Sequence, residues 1–373
     1  AQGDHVVAPA FLAHLRGNRP LRMWGFGGRT PSKDAATAKE RASSKERASS
    51  KETAGESSTP KGLGWRFRPK QSLGDAALEA EWDAAQFAQQ VAQAKISKDY
   101  GRLKKVLVQV AESNYKLREH FQVPRTILVT HQDCAAYRIR GGGIPVISFS
   151  TLSTLDAITQ LAADKRKVIC ALNFANGKDV GGGYKNGSSA QEEDLCRRIP
   201  ALYTSLYRAS KDGLYPFGPS TCTSPDSPER YADVLYTADL SIAREGEESG
   251  FAIMPRKRWA QVSLVAAAAP NTKFAGDISE PGLMYKSIQS IFIAPKIAQP
   301  EVNTLVLGAW GCGAFGGNPQ EMSKMFVQAL IQDNLGQLYK EVHFAIPRTS
   351  PEDVNHQVFR EVFKQHRIAG KDM

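Results

Sequence analysis

From residue 73 onward the chain alternates helical periodicity with short apolar runs. Residues 75–96 place Leu78, Trp82, Ala85, Ala88, Ala92 and Ile96 near helical spacing. Residues 99–121 repeat the pattern with Tyr100, Leu103, Leu107, Val110 and Phe121. Both read as amphipathic helices. Apolar runs at 126–130, 167–172, 234–240, 261–266, 304–307 and 341–346 predict strands. Several are nearly continuous, as expected of strands covered on both faces. Further helices are expected over 152–163, 190–207 and 320–332. The alternation predicts an α/β fold of three layers with a mixed central sheet, preceded by N-terminal helices.

The first 70 residues differ in texture. They hold 14 Lys+Arg against 6 Asp+Glu, whereas the remainder holds 34 against 32. The net charge of +10 over 373 residues therefore belongs mostly to this segment. Within it KERASS occurs twice in succession, at Lys39–Ser44 and Lys45–Ser50. Such a stretch cannot bury enough apolar surface to offset its chain entropy, so it is expected to be disordered. It could serve as a solvated linker or as an electrostatic tether to a polyanion. The first 30 residues are rich in Arg and carry an apolar patch (Phe11, Leu12, Leu15), but they lack Ser, so an organelle leader is weakly indicated. The expected organisation is a basic low-complexity segment (1–70), a helical region (71–122) and a catalytic α/β domain (123–373).

No stretch reaches 18 consecutive apolar residues, which excludes a membrane-spanning helix. The five cysteines form no C-x-x-C pair, and a reducing, intracellular setting fits them. The seven histidines are dispersed and none falls in a glycine loop, so neither a metal site nor a cofactor is expected. The near-neutral body argues against direct nucleic-acid binding outside the basic tail.

Two glycine-rich loops carry the chemistry. The second follows the strand at 304–307 and contains Gly311, Cys312, Gly313, Ala314, Phe315, Gly316 and Gly317. Asn318 and Pro319 then suit the N-cap and first position of a helix. Strand, glycine loop and helix N-terminus together make an anion site, because free N–H groups and the helix dipole face the ligand. Gly311, Gly313 and Gly316 also fit G-x-G-x-x-G. A dinucleotide fold is disfavoured because that fingerprint normally opens the first βαβ unit, and no acidic residue follows at the required spacing. The first loop leaves the strand at 167–172, runs through Asn173 and Asn176 to Gly181, Gly182 and Gly183, and enters a helix at Gln191, Glu192 and Glu193. Ser189 and Glu192 fit a capping box, which would explain Glu192 without chemistry. It leaves the triple glycine and Glu193 unexplained.

GGG, seven residues, then QEE resembles the signature of microbial-type poly(ADP-ribose) glycohydrolases, enzymes of macrodomain fold. Asn173–Asn176, Ala266–Asn271 and Leu307–Asn318 agree with that family in order, over roughly residues 100–347. The basic repeat has no counterpart there, and the segment between Lys211 and Arg230 reads as long and irregular. The resemblance implies hydrolysis of ribose–ribose O-glycosidic bonds in poly(ADP-ribose) or in ADP-ribosylated protein. It makes Glu193 the general acid and Glu192 the partner of a ribose hydroxyl. Asn176 and Gly181–Gly183 would approach the distal ribose, and Gln191 would orient the loop. The backbone of Gly311–Gly316 would hold the diphosphate, with Phe315 on the ribose and Cys312 as a packing residue rather than a nucleophile. Tyr184 would either cover the site or lie on the surface. Adjacent helical residues point about 100° apart, so the two glutamates cannot flank a bond, and one must be the acid and the other a positioner. A mono-ADP-ribosyl hydrolase and a non-catalytic ADP-ribose reader are the alternatives. Retention of both glutamates disfavours the reader. The cellular setting implied is nuclear or cytoplasmic.

Overall fold

The computed structural model describes residues 73–139, 141–222, 224 and 230–373. The basic segment expected over 1–70 and its repeats lie outside these residues. In chain order the described elements are α1 (Asp75–Glu79), α2 (Ala84–Ile96), α3 (Tyr100–Leu117), β1 (Thr126–Val129), α4 (His131–Ala136), β2 (Val146–Ser150), α5 (Thr154–Leu161) and β3 (Ile169–Ala175). They continue with α6 (Gln191–Arg198), α7 (Leu202–Lys211), β4 (Val234–Ile242), β5 (Ala260–Ala268), α8 (Pro281–Ala298), β6 (Thr304–Leu307), α9 (Pro319–Val327), β7 (Glu341–Ala345), α10 (Asn355–Gln365) and β8 (Gly370–Asp372).

The eight strands form one sheet in the order β1-β4-β5-β3-β6-β7-β2-β8. β4 runs antiparallel to both β1 and β5, and the remaining pairs are parallel. The expected mixed sheet is therefore present. Successive β3 residues point to opposite faces. Cys170 and Leu172 enter one core with Ile288, Phe292, Phe326 and Phe344, under α8, α9 and α10. Ile169 and Ala171 enter a second core with Leu155, Ile158, Leu195 and Leu206, under α5, α6 and α7. Two cores on one sheet make the three layers.

The helical boundaries show where local pattern yields to capping. The helix expected over 75–96 is split at Trp82, whose indole N–H donates to the Gly250 carbonyl (2.8 Å), and Asp83 then caps α2 by accepting from the Gln86 amide (2.9 Å). Ile96 and Tyr100, assigned to apolar stripes from spacing, are 84% and 71% exposed. They sit on either side of the turn between α2 and α3, where the buried stripes end. The single helix expected over 190–207 is broken by Pro200 into α6 and α7, because proline disfavours helical φ/ψ at the preceding Ile199. α8 adds an unanticipated helix; ten of its residues are buried, so it lacks the polar stripe that periodicity detects. Asn318 caps α9 by accepting from the Gln320 and Glu321 amides, with Pro319 at the first position, as expected.

β5, β3 and β6 are neighbours, and their C-terminal ends all open on the same edge of the sheet. Ligands of open α/β sheets bind outside these strand ends. The glycine loops after β3 and β6 both start there.

Candidate active site

β3 delivers the first half of the site. Its run is apolar except at Asn173, which is fully buried. Asn173 Nδ2 donates to Glu192 Oε1 (3.2 Å), and the backbone amide of Asn176 donates to Glu192 Oε2 (2.8 Å). Gln191 completes the attachment of α6 to this strand. Its Oε1 accepts from the Phe174 amide (2.9 Å), while its Nε2 donates to the Leu172 carbonyl (2.8 Å) and to Thr154 Oγ1 (3.1 Å). The N-terminus of α6 is thus bonded side chain by side chain to the end of β3.

The capping-box explanation of Glu192 does not hold. The N-cap of α6 is Ala190, with no side-chain cap. Glu192 points inward to the strand rather than back along its helix.

Glu193, 6% exposed, faces the other way, into the glycine loop. Its Oε1 accepts from the Gly183 amide (2.7 Å). Its Oε2 is buried and has no hydrogen-bond partner. The middle glycine lies against both carboxylates. A Cβ on Gly182 would lie 2.6 Å from Glu193 Oε1 and 3.1 Å from Glu192 Oε2, and Gly182 has φ +55°. A Cβ on Gly183 would lie 2.2 Å from Ser188 Oγ. Only glycine lets this backbone lie against both carboxylates.

Burial pushes the Glu192 carboxyl up to about 8, against two N–H donors that favour the charged form; the neighbouring Glu193 adds to the rise. Burial thus favours the protonated form of Glu192, against the N–H groups of Asn173 and Asn176 that it accepts.

Asn176 has a second duty. Its Oδ1 accepts from the amides of Lys178 and Asp179 (both 2.9 Å), which folds the start of the loop into a tight turn. Its side chain is engaged within the loop, and its backbone N–H is what reaches the carboxylate pair.

The second glycine loop starts at the end of β6 beside β3. A Cβ on Gly308 would lie 2.9 Å from Phe174 Cζ, so the second loop leaves the sheet packed against the end of β3. Gly311 has φ +75° and Gly316 φ +84°. Gly313 and Ala314 are exposed, while Gly311, Cys312 and Phe315 are half-buried. The Phe315 carbonyl accepts from the amide and hydroxyl of Thr272 (3.2 and 3.1 Å), which ties this loop to the segment after β5. Trp310 anchors its base, donating from Nε1 to the Ala267 carbonyl (2.9 Å). Burial pushes the Cys312 thiol up to about 12, which keeps it protonated.

Three residues to which the sequence assigned no role support this site. Asn173 is a lone polar residue in an apolar strand, and that was its signal. The Lys273 side chain runs against Gly316, where a Cβ would lie 2.8 Å from its Cγ, and brings a cation beside the second loop. Asn114, on α3, is 3% exposed. Its Nδ2 donates to Tyr184 Oη (3.0 Å) and to the Cys196 and Arg197 carbonyls, while its Oδ1 accepts from Arg244 Nε (2.8 Å). Tyr184 is thereby buried, at 2% exposure, and neither covers the site nor lies on the surface. It braces the glycine loop from beneath.

Among the described residues no group of three or more His, Cys, Asp or Glu is placed to hold a metal ion. No described helix is long and apolar enough to cross a membrane.

The fold is shared with proteins of known structure. Solved structures with similar folds include poly(ADP-ribose) glycohydrolase (PARG) from Thermomonospora curvata, 22% identical, with TM-score 0.58 over 69% of this chain and 99% of that one. They also include PARG from Deinococcus radiodurans in complex with ADP-ribose, 26% identical, with TM-score 0.54 over 65% of this chain and 95% of that one. No curated protein sequence matches the chain. Residues 86–245, which carry Asn173, the triple glycine and both glutamates, match the family model "microbial-type PARG, catalytic domain".

Proposed function

We propose that the protein hydrolyses the ribose–ribose O-glycosidic bond of poly(ADP-ribose) and releases ADP-ribose, with Glu193 as the general acid. The observation that carries this reading is the asymmetry of the carboxylate pair. Both oxygens of Glu192 accept N–H groups from the β3 end, whereas Glu193 keeps one buried oxygen, Oε2, without a partner. A buried acceptor without a partner costs about 1–3 kcal/mol. A substrate hydroxyl or glycosidic oxygen placed there would remove that cost.

The chemistry follows from these positions. Cleavage passes through an oxocarbenium-like transition state, and the leaving oxygen must gain a proton. Glu193 donates it from Oε2, and Oε1 stays on the Gly183 amide. The resulting carboxylate then accepts a proton from the attacking water, which restores the acid. Glu192 holds a ribose hydroxyl in place. The backbone N–H groups of Gly311–Gly316 hold the diphosphate, with Phe315 against the ribose. Lys273 adds positive charge at that loop. Gln191 keeps α6 in register with β3, so that both glutamates stay on the loop.

Poly(ADP-ribose) or ADP-ribosylated protein is then the partner, and a nuclear or cytoplasmic setting suits that substrate. The basic segment 1–70 raises local capture of the polyanion. The family match begins at residue 86, within α2, and Asn114 on α3 braces the site. The N-terminal helices 71–122 accordingly work with the 123–373 domain.

The deciding experiment follows ADP-ribose released from defined poly(ADP-ribose), with Glu193→Gln in parallel. Wild type should release it, and the variant should lose about 10²–10⁴-fold in kcat, the span of general acid catalysis, while still binding ADP-ribose. Binding without release by wild type would reduce the protein to a reader or a hydrolase of single ADP-ribose groups.

A further inference from the structure

A row of aromatic rings leads away from the glycine loop, and the chemistry above does not use it. Tyr203 and Tyr207 are four residues apart on α7 and share one face of the helix. Tyr184, on the glycine loop, packs against Tyr203 with ring centroids 5.3 Å apart. Tyr203 stacks with Tyr207 at 6.2 Å, with only 16° between their planes. Each of the outer rings carries an ammonium group. Lys185 Nζ lies 5.9 Å from the Tyr203 centroid, and Lys211 Nζ lies 5.1 Å from that of Tyr207.

The row has a direction. Tyr184 is buried, Tyr203 half-buried, and Tyr207 45% exposed. Its inner end reaches the site, because a Cβ on Gly181 would lie 2.9 Å from Tyr203 Cδ2, and the next residue, Gly182, abuts both glutamates. The rings thus step outward from the glycine loop, with one ammonium group near each of the outer two.

An ADP-ribose unit has matching chemistry, with one flat purine and two phosphate charges. Proteins that track single nucleic-acid strands combine aromatic stacking platforms with positive groups along the path. A tyrosine face offers the stack, and the lysines that now sit over the rings can turn to the diphosphate. We infer that Tyr203 and Tyr207, with Lys185 and Lys211, bind the ADP-ribose unit next to the one being released. This inference rests on poly(ADP-ribose) being the substrate.

The test uses the full chain with Glu193→Gln to hold back hydrolysis. Affinities for ADP-ribose and for labelled poly(ADP-ribose) of defined length are compared with and without the pair Tyr207→Ala and Lys211→Ala. Polymer affinity should fall about tenfold more than monomer affinity, equivalent to about 1.4 kcal/mol. Tyr207→Phe, which keeps the ring, should preserve the ratio. An unchanged ratio in the double variant would overturn the inference and leave the rings as packing of α7. Turnover by wild type is scored separately. Release of ADP-ribose with an unchanged ratio removes the track alone. A lowered ratio without any release removes the glycohydrolase reading and leaves a surface for a nucleotide polymer.

Discussion

Replacing Gly182 with alanine tests the central contact of the site. The residue has φ +55°, a conformation that costs an L-residue about 1–2 kcal/mol. For a folded chain of about 300 residues that predicts a fall in Tm of about 1–3 °C. The new methyl would also stand 2.6 Å from Glu193 Oε1. Ordinary contacts to carbon lie at about 3.5 Å, so the carboxylate must retreat by about 1 Å. A displacement of that size costs about 10²-fold in rate, or about 2.7 kcal/mol of barrier. The assay is steady-state release of ADP-ribose, with calorimetric binding of ADP-ribose and thermal unfolding on the same samples. Gly213→Ala is the control, since Gly213 has φ +80° but a Cβ there would meet nothing within 4 Å. Both variants should lose similar stability, and only Gly182→Ala should lose kcat. Full kcat in Gly182→Ala, with the control equally stable, would refute the claim that glycine is needed to seat the glutamates.

Other outcomes follow from the same structure. Asn114→Leu removes the acceptor of Arg244 Nε and the donor to Tyr184, while Arg244 keeps Ser113 Oγ and the Phe251 carbonyl, and should cost about 1–3 kcal/mol, as expected when a buried donor loses one acceptor; urea unfolding reads this, and kcat should fall with it as the glycine loop loosens. Glu192 is raised from 4.5 to about 8, so the native state holds a proton that the unfolded chain gives up. Its contribution is present below about pH 4.5 and fades as pH climbs to about 8, a swing of about 5 kcal/mol at most. Glu192→Gln should therefore gain stability relative to wild type across that window, and a flat difference would contradict the burial argument. His343, bonded to Ser148 and Ser150, is lowered by burial from 6.5 to about 4. Its contribution is present above pH 6.5 and is lost as pH falls through 4, about 3 kcal/mol in all, so His343→Gln should flatten the acid limb of the stability curve.

The sheet was legible because its strands are apolar runs too short for helices. Five of the six anticipated strands shift by only a few residues at their ends, and 304–307 coincides with β6. β2 was missed because Ser148 and Ser150 interrupt its apolar character; both are buried, and both bond His343, which is distant in sequence. The loops of the site were legible because glycine and carboxylate occur at short, ordered spacing. What each glutamate touches was not. Ser189 and Glu192 satisfy the capping pattern, and only the fold shows that Asn173 and the Asn176 amide claim that carboxyl instead. Asn114 acts across 70 residues to Tyr184 and 130 to Arg244, beyond the reach of any local pattern.

The hydrogen-bond donors to the two glutamates are all amides: Asn173 Nδ2, Asn176 N and Gly183 N. Amide dipoles are uncharged, and buried groups are little screened by mobile ions. Capture of a polyanion by exposed lysines is screened strongly. Ionic strength should therefore separate the two stages of the reaction. Added salt should raise KM for long chains and leave kcat nearly level, which makes a salt series a direct way to tell a residue that gathers the polymer from one that cuts it.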